Sequence, residues 1–296
     1  MKISLGPIQF FWSAEKIKAF YQSVETAPVD IVYLGETVCS KRRELRLADW
    51  QEIGRSLEAA GKEVVYSTLA LVEAESELKM MDRICRESEG LVEANDYAGV
   101  QMRAEKQLGY VTGPAINLYN AESIKRLAKT GLKRWVMPVE LGREALEGIL
   151  EHKPEFMGVE TEVFVFGHMP LAFSARCFTA RNFDLPKDDC QLKCLDFPEG
   201  MALSSKEDEL LFTVNGIQTM SGVPVNYLSF VEEMTHMGVD IIRVSPIAEG
   251  TLDVVDQFKK ALKGELVAST SSDFANGFWT GDSGMEWKTQ AETLHP

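Results

Sequence analysis

Eight short apolar runs, most of them separated by an amphipathic helical stretch, restrict the folds open to this 296-residue chain more than any other feature. They occupy residues 2–8, 30–35, 63–67, 91–93, 109–112, 134–137, 161–166 and 240–245. Helical patterns fill the intervals at 13–24, 49–60, 73–87, 120–129, 143–151 and 253–263. Ser13 is placed as a helix cap, and Trp50, Ile53 and Leu57 fall at helical spacing before a stop at Gly61. Strand, helix, strand at this interval implies parallel βαβ units. Eight of them in one domain spanning 1–296 predict an α/β fold, a (β/α)8-type barrel with some irregularity. An open doubly wound sheet is the alternative. No GxGxxG follows the first run and no GxxxxGK[ST] occurs, which argues against dinucleotide and nucleoside-triphosphate binding.

The alternation breaks once. Residues 175–220 hold three cysteines, an acidic stretch and a strand-like piece instead of a βα unit. They are read as a long insertion at the C-terminal face of the barrel, where the βα loops of such folds gather their active sites.

The three cysteines are Cys177, Cys190 and Cys194, spaced Cys-x12-Cys-x3-Cys. Cys39 ends the loop after the second strand, on the same face, although 138 positions separate it from Cys177. Cys85 stands apart in a charged helix and reads as a core residue. Four thiolates that converge suffice for a closed zinc site or an iron–sulfur cluster. Basic neighbours (Lys41, Arg42 and Arg43 beside Cys39; Arg176, Arg181, Lys187 and Lys193 in the insertion) favour the thiolate form. Zinc sites usually offer paired short knuckles; the irregular spacing with a remote fourth cysteine leans towards iron–sulfur, and both stay open on spacing alone.

A net charge of −14 argues against nucleic acid, which needs a basic face. No run of eighteen apolar residues occurs, so no transmembrane helix is expected. The N-terminus lacks a secretory pattern, and a cytoplasmic protein with reduced thiols is expected. Further pocket candidates at strand ends are His168, Glu36, Glu140, Asn117 and Tyr119. Phe10, Phe11 and Trp12 are candidates for an apolar docking surface, with a plain core role as the alternative.

The segment ETEVFVFGHMPLAFSARC resembles the signature of the collagenase-like peptidase family, Glu-x-Phe-x-His-Gly-Ala-x-Cys-x-Ser-Tyr-Ser-Gly-x-Cys. Glu162, Phe164, Gly167, Phe173, Ser174 and Cys177 fit or nearly fit it. Phe166 stands at the signature's His and Pro170 at its first Cys, which argues against a peptidase role leaning on those groups. The departures resemble one branch of the family, which acts in oxygen-independent ubiquinone biosynthesis. Matching stretches include SLGP, DIVYLGETVCSKRR, STLALV, MPVELGRE, PKDDC, NGIQTMSG, RVSP and NGFW, so the likeness spans nearly the whole chain. The resemblance implies a 4Fe–4S cluster on Cys39, Cys177, Cys190 and Cys194. It also implies a heterodimer with a homologous, cluster-bearing UbiU-like subunit, assisted by a UbiT-like lipid-carrier protein. The implied activity is hydroxylation of ubiquinone precursors without dioxygen, with prephenate as the proposed oxygen donor. A hydrolase of the peptidase family, and a non-catalytic scaffold whose insertion is stapled by metal, are the alternatives.

Overall fold

A computed structural model describes residues 1–265, 267 and 273–289. Seven strands come first: β1 (Lys2–Leu5), β2 (Ile31–Leu34), β3 (Glu63–Ser67), β4 (Val92–Ala94), β5 (Tyr110–Thr112), β6 (Leu132–Val136) and β7 (Glu160–Gly167). Helices α1 (Ala14–Val24), α2 (Leu47–Ala59), α3 (Glu75–Glu87), α4 (Tyr97–Glu105), α5 (Ala121–Ala128) and α6 (Arg143–Leu150) separate them. Next come β8 (Pro170–Phe173), α7 (Phe178–Asn182), β9 (Met201–Ser204), β10 (Leu210–Asn215), β11 (Gln218–Ser221) and β12 (Val225–Asn226). Then α8 (Val231–Met237), β13 (Ile241–Val244), α9 (Thr251–Leu262) and α10 (Gly277–Thr280) complete the order.

Strands β1 to β7 pair in sequence, β7 pairs with β13, and β13 returns to β1, all parallel. The result is a closed eight-stranded parallel barrel surrounded by helices, the (β/α)8 architecture the alternation predicts. β12 adds antiparallel to the end of β7, at Val225↔Gly167. β8, β11, β10 and β9 form a separate antiparallel sheet. The insertion therefore begins at Pro170, five residues earlier than its composition suggests, because β8 pairs with β11 rather than continuing the barrel.

Capping fixes helix starts as expected. The Ser13 hydroxyl accepts from the Lys16 amide, and the Asn120 side chain accepts from Ser123. Four helices escape the sequence reading: α4, α8 and the short α7 and α10. Helix α4 carries little apolar periodicity because Arg103 takes a core position. Its guanidinium donates to the carbonyls of Cys85, Ser88, Gly90 and Gly109, joining α3 to the start of β5. Cys85 is fully buried against Met81 and Val92, as a core residue should be.

The main core lies between barrel and helices, including Ile3, Leu5, Val32, Leu34, Val163, Val165 and Val244. A smaller cluster of Ile31, Tyr33, Val65, Val111, Val136 and Ile241 is separate from it. Strands buried on both faces read as continuous apolar runs, which is why the eight were visible. Phe10, Phe11 and Trp12 are no docking surface: all three are buried, and the Trp12 indole donates to the Pro198 carbonyl, anchoring the insertion.

Candidate metal centre at the barrel mouth

The Cys39 loop starts where Gly35 ends β2. Its φ of 130° and an approach of 2.7 Å between a would-be Cβ and the Ser67 carbonyl admit only glycine. The next residue, Glu36, turns its carboxylate back to accept the amides of Val38 (2.8 Å) and Cys39 (3.0 Å). Burial raises the Glu36 pKa, with Arg42 opposing. Glu36 thus shapes the thiol loop and caps no helix.

In the insertion, Cys177 caps α7, its Sγ accepting from the Ala180 amide at 3.4 Å. The β10–β11 turn holds that cap in place: Phe178 donates to the Gly216 carbonyl, and Gly216 donates to Thr179 Oγ1. Cys190 and Cys194 flank Gln191 and Leu192, both left-handed at φ 52° and 51°. This reversal folds the two thiols towards one another. Lys41, beside Cys39, donates to the Lys187 carbonyl (2.6 Å) and Asp188 (3.0 Å), and Lys187 donates to the Ala175 carbonyl and pairs with Glu73. The β2 loop and the insertion are thereby tied together.

Cys39 and the insertion that carries Cys177, Cys190 and Cys194 are thereby neighbours at the barrel mouth, joined through Lys41, Lys187 and Asp188. Burial pushes the Cys39 thiol up to about 11, while the Lys41 amide and Arg42 pull it down. Cys194 is raised by burial, opposed by Arg42. All four are half-buried and unpaired by disulfides. Among the described residues no three donors are drawn tightly enough to grip a single ion. As donor chemistry, four thiols flanked by Lys41 and Arg42 fit a thiolate-ligated metal group.

A cleft of about 240 Å³ is lined by Ala70, Asn117, Tyr119, Glu140, Pro170 and Phe173 among others, and by none of the cysteines. Asn117, Tyr119 and Glu140 therefore share one cleft. The Tyr119 hydroxyl donates to Glu140 at 2.8 Å, and burial, then Glu140, pushes its pKa up to about 12. His168 lies elsewhere: its Nδ1 bonds the Ser221 carbonyl, its ring meets Phe10 edge-on, and burial lowers its pKa. It is a structural histidine. His295 lies outside the described residues.

A polar network inside the barrel went unread in the sequence. Arg243 donates to Glu162 and Glu93, each at 2.7 Å, and its guanidinium stacks 4.0 Å over the Tyr33 ring. Glu162 also accepts from Ser4 (2.6 Å) and Tyr33 (2.5 Å), and Arg134 donates to Tyr33 and Glu160. Arg243 on β13 and Glu93 on β4 sit on opposite walls, so the bond spans the interior. The signal was there: charged residues in mid-strand, in DIIRVSP, GLKRWVMP and LVEAND.

Among solved structures, the chain is similar to the U32 peptidase Mk0906, with 12% identity over 84% of this chain and 94% of that one (TM-score 0.45). An archaeal Rubisco from Hyperthermus butylicus matches at 11% identity over 90% of this chain and 61% of its own (TM-score 0.47). A Clostridium thermocellum protein that binds two copies of 5-methyltetrahydrofolic acid matches at 11% identity over 88% of this chain and 95% of its own (TM-score 0.45). No described helix is long and apolar enough to cross a membrane. The sequence pattern of peptidase family U32 matches residues 12–279, nearly the full barrel with its insertion, and the chain belongs to that family.

Proposed function

We propose that this protein is a UbiV-type iron–sulfur subunit of a heterodimeric system that hydroxylates ubiquinone precursors without dioxygen. The feature that supports the reading is the donor set itself: Cys39 on the β2 loop and Cys177, Cys190 and Cys194 in the insertion, two segments tied together where Lys41 donates to the Lys187 carbonyl and Asp188. Two further features support it. Successive left-handed Gln191 and Leu192 cost about 1–2 kcal/mol each, a strain that metal bonds to Cys190 and Cys194 would offset. The peptidase signature's His position is Phe166, buried and packed on Phe274 at 5.8 Å, so that group has no chemistry to offer.

Cys39, Cys177, Cys190 and Cys194 would hold a 4Fe–4S cluster, which supplies one-electron transfer when bound. With every iron held by the protein, ring chemistry belongs to the partner subunit or to the adjacent cleft. That cleft, about 240 Å³, has room for one aromatic ring, with a mostly polar lining that includes the Tyr119–Glu140 pair and with Pro114, Pro138, Pro170 and Phe173 around it. A UbiT-like lipid carrier would deliver the polyprenylated precursor. A UbiU-like partner and prephenate as oxygen donor complete the system.

Anaerobic purification is expected to give a brown protein with about four iron and four sulfide per chain, the content of one cluster. A colourless protein carrying zinc after the same handling ends this reading. Peptide hydrolysis by the chain alone would favour the peptidase alternative.

A further inference from the structure

The cleft of about 240 Å³ is built from chain that leaves the ends of several barrel strands. Ala70 follows β3, Asn117 and Tyr119 follow β5, Glu140 follows β6, and the β8 wall follows β7. All of these lie at the C-terminal face, where folds of this kind gather their ligand sites. The lining is short of hydrogen-bond donors. Pro114, Pro138 and Pro170 have no N–H to offer, and the Ala70 amide is spent on the Thr37 carbonyl. No Lys, Arg or His lines the space. Glu140 is its charged group, and among the described residues it has no cationic partner. The Tyr119 hydroxyl donates to Glu140 Oε2 at 2.8 Å, which leaves Oε1 open to a further donor.

We propose that Glu140 is the specificity-determining residue of this cleft: its carboxylate selects a neutral ring with a free hydroxyl and turns away anionic rings, so a carboxylated oxygen donor binds elsewhere, on the partner subunit. The selection rule rests on the cleft alone; its bearing on ubiquinone precursors rests on the functional reading above. Tyr119 already shows the geometry, a phenol O–H seated on this carboxylate. Hydrogen bonds to a charged acceptor are among the stronger ones. A ligand carboxylate meets the opposite situation. It faces a like charge with no cation to offset it, on a chain of net charge −14.

Fluorine NMR titrations of the full-length protein at pH 7 test this with para-fluorophenol, para-fluoroanisole, para-fluorobenzoate and para-fluorobenzylamine. The phenol is expected to bind saturably, and the anisole and benzoate at least tenfold more weakly, the loss of one hydrogen bond to a charged acceptor. Glu140→Gln should shrink that preference at least fivefold, and Glu140→Lys should reverse it in favour of the benzoate. Both substitutions fall on an exposed residue, so the barrel stays folded. Ala172→Trp, which fills the cleft from β8, should abolish binding of the phenol. Benzoate bound as tightly as phenol, benzylamine bound more tightly, or a phenol preference unchanged in Glu140→Gln overturns the proposal. Iron-free protein that still prefers the phenol through Glu140 ends the cluster reading while the selection rule stands. A brown, cluster-bearing protein that binds no phenol ends the selection rule and leaves ring binding to the partner subunit.

Discussion

Arg243→Met is expected to lower the unfolding free energy by about 3–5 kcal/mol, the loss that follows when one partner is removed from a buried ion pair. For a domain whose whole stability is about 5–15 kcal/mol, this is a fifth of it or more. Both carboxylates facing Arg243 are fully buried. Glu162 would keep Arg134 at 3.8 Å, together with Ser4 and Tyr33. Glu93 would keep only the neutral donors Ser67 and Asn95. The pH dependence should change as well. Burial by itself would raise the Glu162 pKa, but Arg243 and then Arg134 overrule it, and the folded value lies below the ordinary one. Its contribution is therefore present above the unfolded pKa, near 4.3 for glutamate, and is lost as pH falls through the folded value. Without Arg243 the burial effect gains ground, and the acid-side loss of stability should shrink. Urea denaturation at pH 7 and pH 4 checks both points. A variant within 1 kcal/mol of wild type at pH 7 would show that the interior network is not under electrostatic tension. Replacing all three charges (Glu93→Gln, Glu162→Gln, Arg243→Met) should recover part of the loss, because no charge is then left unpaired.

That network also marks where sequence reading stopped. The eight strands were legible because burial on both faces leaves continuous apolar runs, and the caps at Ser13 and Asn120 declared their helices. Parallel topology puts the loops after β2 and β7 at the same end of the barrel, so the sequence alone could place Cys39 and the cysteine-bearing insertion on one face. What stayed hidden depends on partners distant in sequence. Arg103 looks like a surface residue until its carbonyls from α3 and the start of β5 arrive around it. Arg42 reads as one of three basic residues on a loop, and only Gln9 and Asn215, 33 and 173 positions away, show that it is buried. Phe10–Trp12 take the plainer of their two readings: the insertion folds over this run through Pro198, and all three are core. His168 likewise held the most promising position for chemistry and was claimed by the Ser221 carbonyl.

Cys39→Ala is expected to abolish cluster retention and hydroxylation while leaving the barrel folded. On the proposed ligand set, iron after anaerobic purification should fall at least tenfold, since the three insertion cysteines would lose the remote fourth. The barrel should survive because the loop's own bonds do not use the thiol. Glu36 holds the Val38 and Cys39 amides, Arg42 N–H donates to the Cys39 carbonyl, and Lys41 reaches the insertion through Lys187 and Asp188. Cys85→Ala is the matched control. It removes a thiol from the core, is expected to lower stability by about 1 kcal/mol, and should leave iron unchanged. Iron content, thermal midpoint and hydroxylation measured on both variants separate two roles for the same four thiols. If Cys39→Ala loses iron and activity yet melts within a few degrees of wild type, the group serves electron transfer. If it loses iron and the insertion becomes sensitive to proteolysis between 175 and 220, the group is a staple. Wild-type iron in Cys39→Ala would remove Cys39 from the ligand set, and with it the reason for placing the centre at the barrel mouth.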